Sequence, residues 1–180
     1  MELCSYEEFG VAFFEHAVTE EKVLEAVREM AGDPIDMGPV PAGPGGAAQV
    51  TATGSVGEPA ATRLEGDIIR YEVVLPISLD FTVDLQVDKH RFHGDLLVPL
   101  LISARATKEL CIDIEVEPPT ADHVRLDLKA SGLRASVLQR LAGIDDEVKR
   151  FVAQYIQDEV DSGDPADRLI DVKQGIDAAM

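Results

Sequence analysis

Between Ile69 and Val87 every odd position is apolar: Ile69, Tyr71, Val73, Leu75, Ile77, Leu79, Phe81, Val83, Leu85 and Val87. The even positions between them are Arg70, Glu72, Val74, Pro76, Ser78, Asp80, Thr82, Asp84 and Gln86. A two-residue period sends successive side chains to opposite faces of a strand. Nineteen residues of it predict a sheet with one buried and one wet face. As one strand this stretch would span roughly 60 Å at about 3.3 Å per residue. Pro76 has no N–H for the ladder, which predicts a bulge, an edge position or a bend. Two strands or one long bent strand follow.

The pattern turns at Asp88-Lys89-His90-Arg91 and resumes on even positions, with Phe92, Gly94, Leu96, Val98, Leu100, Ile102, Ala104 and Ala106 on one side. His93, Asp95, Pro99, Ser103 and Arg105 take the other, together with the apolar Leu97 and Leu101. A third run sets Leu110, Ile112, Ile114 and Val116 against Glu109, Asp113, Glu115 and Glu117, and Pro118-Pro119 ends it. A fourth sets Val124, Leu126, Leu128 and Ala130 against Arg125, Asp127 and Lys129. Alternating runs joined by short turns predict an antiparallel meander over residues 67–130.

After Ser131-Gly132 the period changes. Leu133, Val137, Leu141, Ile144, Val148, Phe151 and Tyr155 step by three or four, and Leu138, Val152, Ile156 and Val160 widen the stripe. This predicts an amphipathic helix over 133–162, with a kink or break at Gly143 and a stop at Ser162-Gly163-Asp164-Pro165. Asp145 with Lys149 and Asp146 with Arg150 have favourable i,i+4 order. A short terminal strand is expected within 168–176. Upstream, Ser5 and Glu8 fit a capping box and Thr19 caps a second helix in which Val23, Val27 and Met30 recur, so residues 1–31 read as helical. The alternative for Phe9 to Val18 is a short strand. Residues 32–66 hold eight glycines and five prolines, a loop-rich segment with one small-residue strand around Ala48, Val50, Ala52 and Gly54. The expected fold class is α+β in one domain: a long curved antiparallel meander wrapped around a long C-terminal helix, with an N-terminal helix.

Composition narrows the function. Sixteen basic and thirty-four acidic residues give a net charge of −18, which excludes a nucleic-acid surface built on a Lys/Arg stripe and argues against docking to anionic lipid. The acidic start Met1-Glu2-Leu3-Cys4 carries no apolar targeting core, and the uncharged stretch 37–57 is too rich in glycine and proline for a membrane helix, so a cytoplasmic protein without stable membrane insertion is expected. Cys4 and Cys111 read as plain thiols.

The order of elements from Asp67 to Val172, a long meander, then a long amphipathic helix, then a short strand, resembles the tubular lipid-binding (TULIP) superfamily. It is also similar to the START-like helix-grip fold. Either resemblance implies a carrier of hydrophobic ligands. The residues expected to line a channel between sheet and helix are Leu79, Phe81, Val83, Leu96, Val98, Leu100, Leu126, Val148, Phe151 and Tyr155, with the Tyr155 hydroxyl orienting a polar end. The expected function is non-catalytic binding of a lipid or other long apolar molecule, at roughly 0.8 kcal/mol per buried CH₂, with no cofactor.

Other readings stay open. Leu97 and Leu101 break the polar alternation and suit a homodimer formed through that surface or a sheet edge. A helix-grip cavity also suits cyclase or hydrolase chemistry. His90, His93, Asp88 and Asp95 fall within eight residues, but strand parity puts His93 on the wet face and His90 in a turn, which reads as a solvated hairpin tip and not as zinc ligands. Gly43-Pro44-Gly45-Gly46 lacks the lysine of a phosphate loop. Ser131 and Ser136 have no nucleophile elbow. The acidic runs 113–117 and 145–147 lack calcium-loop spacing.

Overall fold

A computed structural model describes residues 2–30, 34–42, 44–46, 48–85, 88–129, 143–164 and 168–179. Two long strands form its spine: β4 (Ile69–Asp84) and β5 (Lys89–Ala106) pair antiparallel without a register shift, from Ile69 opposite Ala104 to Asp84 opposite Lys89. Burial follows the predicted parity. Every odd residue of β4 from Ile69 to Val83 is buried, and Val73, Val83 and Val98 have no exposed surface.

Shorter strands share the two edges of this ribbon. Along β4, β2 (Ala48–Val56) pairs with the half nearest the β4–β5 turn, and β3 (Ala60–Leu64) pairs with the other half. Along β5, β7 (Arg125–Lys129) pairs near the turn and β6 (Cys111–Glu117) pairs far from it. β1 (Ile35–Ala42) adds to β2, and β8 (Leu169–Asp171) adds to β6. The eight strands among the described residues form one strongly curled antiparallel half-barrel. The meander is therefore forked, because β6 and β7 lie end to end along one partner.

The prolines explain where the forks fall. Pro76 accepts a hydrogen bond from the Gly57 amide at 2.7 Å on its carbonyl, so its nitrogen also faces away from β5. It stands between the last residue paired to β3, Val74, and the first paired to β2, Ile77. Pro99 has the same parity as Leu97 and stands between the residues paired to β7 and to β6. Each missing N–H thus faces a gap between flanking strands, and the central ladder is intact. No register shift falls at Pro76, and of the two alternatives the stretch is one long strand in a curled sheet.

Helices cover the apolar face. α1 (Tyr6–Ala17) has the capping box: Ser5 Oγ accepts from the Glu8 amide, and the Glu8 carboxylate accepts from the Ser5 amide at 2.7 Å. The strand alternative for Phe9–Val18 is thereby replaced by helix. α1 buries none of its residues. α2 (Glu20–Met30) buries Val23 and Val27, and the Tyr71 hydroxyl ties the α1–α2 junction to the sheet by donating to the Val18 carbonyl at 3.0 Å. α3 (Ile144–Ser162) starts at Gly143, which is left-handed (φ 89°), and carries Asp145, Asp146 and Glu147 in its first turn, where carboxylates complement the helix dipole. Gly143 is thus a helix start, and the stripe residues Leu133, Val137, Leu138 and Leu141 lie outside the described residues, as do Val87 and Ala130. Val148, Val152, Ile156 and Val160 bury the α3 stripe in the same core as the sheet. Arg150 bonds Glu147 at 3.0 Å, one turn away, in place of the predicted Asp146.

Three sequence expectations change. The loop-rich 32–66 segment contains three strands. β1 tolerates Gly38, Pro39 and Pro41 because it is an edge strand with a register shift between Met37 and Val40, while Ile35 and Met37 remain buried. Leu110 is not in β6 but in the turn before it, 56% exposed and at φ 63°. The terminal strand is short: β8 ends at Asp171, and α4 (Val172–Ala179) follows, with the Asp171 carboxylate accepting from the Gln174 amide at 2.8 Å.

Candidate functional site

The ends of the β4–β5 ribbon differ in how they are filled. Near the β4–β5 turn the inward side chains meet closely. A Cβ on Gly94 would lie 2.8 Å from the Phe81 ring and about 3 Å from Leu128, so the ring occupies the space a side chain would need. Far from the turn, α2, the sheet and the C-terminal half of α3 enclose free volume. An inner cavity of about 50 Å³ lies among Val27, Leu75, Leu100, Tyr155 and Ile156. An outer cavity of about 290 Å³ adjoins it, bounded further by Val18, Val23, Ile114 and Ile170. Val27, Ile102, Val116 and Val160 are walls of both. The two form a cleft with aliphatic walls.

The cleft is apolar because three stripes converge on it. Val23 and Val27 stand one turn apart on α2, Ile156 and Val160 one turn apart on α3, and Leu100 and Ile102 have the inward parity of β5. Its polar groups are at the rim. The Lys22 ammonium donates to the carbonyls of Ala17 (3.0 Å) and His16 (3.4 Å) at the end of α1. The Arg168 guanidinium donates to the Val160 carbonyl in the last turn of α3. Asp164 lies on the same rim, and Glu159 borders the inner cavity. A third groove, about 600 Å³ under α1, is instead edged by charged residues including Glu7, Glu15, Arg63 and Arg105.

Of the residues expected to line a channel, Leu100 and Tyr155 border the inner cavity. Leu79, Phe81, Val83, Leu96, Val98 and Val148 are buried core, each at most 4% exposed. Leu126 and Phe151 pack half-buried against that core, and the Phe151 ring stacks on Tyr155 with centroids 6.4 Å apart. The residues not anticipated are chiefly Val27, Ile102, Val116 and Val160. Each lies on an apolar stripe or parity that the sequence shows, Val27 in α2, Ile102 in β5, Val116 in β6 and Val160 in α3, but nothing local says that these stripes meet.

No family model, curated protein or solved structure matches the chain.

The histidine cluster lies on the outer face of the sheet. His93 Nδ1 is 3.0 Å from Asp80 Oδ1, and its Nε2 is 3.3 Å from both Ser78 Oγ and Asp95 Oδ1. Lys129 of β7 bonds the other oxygen of Asp95 at 2.5 Å. The hydrogen bond to Asp80 raises the His93 pKa above its ordinary value, and the Asp95 charge adds to this while desolvation opposes it. The Lys129 bond lowers the Asp95 pKa and raises that of Lys129. Ser78, His93 and Asp80 have the connectivity of a nucleophile, base and orienting acid, but none of them borders the three cavities above. With Asp95 and Lys129 they join β4, β5 and β7 across the wet face. His90, in β5 and not in the turn, is 3.5 Å from Asp88. Among the described residues no group of three or more His, Cys, Asp or Glu side chains is placed to hold a metal ion, and no helix is long and apolar enough to cross a membrane. Of the glycine-rich stretch, Pro44–Gly46 form a single turn between β1 and β2, with Gly45 and Gly46 both near φ 70°. Cys4 and Cys111 are free thiols.

Proposed function

We propose that the protein binds a lipid or other long apolar molecule reversibly, without covalent chemistry, in the cleft between α2, α3 and the far end of the sheet. One observation carries this reading: an inner and an outer cavity share four aliphatic walls and meet only a few polar groups at their edge. An apolar wall that no side chain covers loses dispersion contacts and hydrophobic stabilisation. A bound methylene chain restores both, at roughly 0.8 kcal/mol per CH₂. The outer cavity, about 290 Å³, is at the lower edge of the roughly 300–1,000 Å³ usual for small-molecule sites, which suits a slender ligand. The order of elements that resembles TULIP and helix-grip carriers supports the same class of ligand. Native mass spectrometry of protein purified from its own host, with a thermal-shift panel of lipids, tests the proposal. A copurified apolar molecule or a saturable shift is expected. Neither a copurified molecule nor any shift would contradict it.

A second reading rests on the outer face. Val74 pairs with Pro99 and Pro76 with Leu97 at the middle of the ribbon, and Leu97 is 44% exposed. This apolar patch suits a second copy of the chain. Light scattering should then find a dimer that Leu97→Lys with Leu101→Lys dissociates, and a monomeric wild type at high concentration would end this reading.

A further inference from the structure

We infer that the ligand of the cleft is a single-chain amphiphile with a carboxylate head, received at the rim by Lys22 and Arg168. The inference rests on the apolar-ligand proposal and adds the headgroup. The chain carries thirty-four acidic residues against sixteen basic ones, yet the rim of its apolar cleft holds two cations from distant parts of the sequence. The ends of α1 and α3 bring them there. Lys22 rests on carbonyls of His16 and Ala17, and Arg168 on the carbonyl of Val160. These bonds place the cations where helix C-termini favour positive charge, but carbonyls carry no net charge and do not neutralise them. A guanidinium has five N–H donors and an ammonium three, so each retains donors for a carboxylate beyond its bonds to these carbonyls.

The neighbouring acids set the charge the site accepts. Asp164 shares the rim and has an interaction of its own, and Glu159 borders the inner cavity. With these two carboxylates the four charges sum to zero, so a second negative charge on a headgroup meets more repulsion than a first, which favours a monoanion over a dianion. The volume sets the tail: cavities of about 50 and 290 Å³ accept one extended chain and not the two tails of a bilayer phospholipid. A carboxylate at the rim with its chain directed past Val27 and Val160 satisfies both limits.

The test is calorimetric titration of the full chain with dodecanoate, its methyl ester and dodecyl phosphate, each below its aggregation limit. Dodecanoate should bind at least about tenfold more tightly than the ester, the worth of one charge-assisted hydrogen bond, and no more weakly than the phosphate. Lys22→Gln with Arg168→Gln should abolish the acid-over-ester preference, with a cooperative melting transition showing that the variant is folded. If that variant does not fold, Asp164→Asn should widen the preference. Equal binding of acid and ester, a preference that survives loss of both cations, a preference that Asp164→Asn leaves unchanged or narrows, or tighter binding of the phosphate overturns the headgroup assignment and leaves apolar binding standing. Binding of none of the three overturns both.

Discussion

The two ends of the β4–β5 ribbon are built from the same alternating pattern and reach different interiors. Near the turn, Phe81 and Phe92 supply aromatic bulk, Gly94 yields its place to a ring, and Leu79 and Leu96 are about 1% exposed. At the far end the inward strand residues other than Tyr71 are aliphatic, and the cavities lie between them and α2 and α3. Alternation fixes which side chains face inward. It does not fix whether what packs over them fills the space, which depends on side-chain volume and on helix placement.

The sharpest way to break this comparison is paired truncation. Leu79→Ala removes a side chain from close packing and should cost about 2–5 kcal/mol. Leu100→Ala enlarges an existing void and should cost at or below the bottom of that range. Denaturant midpoints measure both, and equal losses would show that the two ends are packed alike. Next in size is Gly94→Ala, whose methyl group must displace the Phe81 ring or Leu128. A loss of about 1–3 kcal/mol is expected, and Phe81→Leu in the same chain should recover part of it.

Much of this difference was legible and part was not. The parity of β4 and β5 could be read directly, because one face of each long strand is buried. β1 was hidden because an edge strand tolerates Gly38, Pro39 and Pro41, which signal a loop in sequence. β3 was hidden because Ala60-Ala61-Thr62-Arg63-Leu64 shows no alternation of apolar and polar positions, whereas the equally short β7 does. The forked edges had an unused cue: β5 has eighteen residues while β6 has seven and β7 five, so two short strands can share one long partner. Leu100 and Tyr155 were found because inward parity and the α3 stripe both pointed to them. Val27 and Val116 were missed as lining residues because nothing local says that α2 and the far edge of the sheet face each other.

Smaller effects sharpen the same contrast. The outer face near the turn carries the His93 network, which links three strands. The raised His93 pKa means that the folded state holds its proton more tightly, so this contribution is present below the ordinary histidine value of about 6.5 and is lost as pH rises through the raised value. Asp95 behaves oppositely: its contribution is present above the ordinary carboxylate range and is lost as pH falls through its lowered value. His93→Gln should therefore lessen the fall in stability from about pH 6 to 8, measured by thermal melts, and an unchanged slope would remove this role. At the far end, Leu110 holds a left-handed backbone in the turn before β6. Leu110→Gly should stabilise the protein by up to about 1 kcal/mol, and a lower melting temperature would refute the strain.

The central claim is that the far-end cleft is a binding site and not an imperfection of packing. Titration of an apolar fluorescent probe into the wild type and into Val116→Phe, which places a ring between the two cavities, tests it most directly. Saturable binding at one site, lost in the variant while its melting transition remains cooperative and no lower, is the predicted result. Absence of saturable binding in the wild type, or binding that the filled cleft leaves unchanged, would contradict the account.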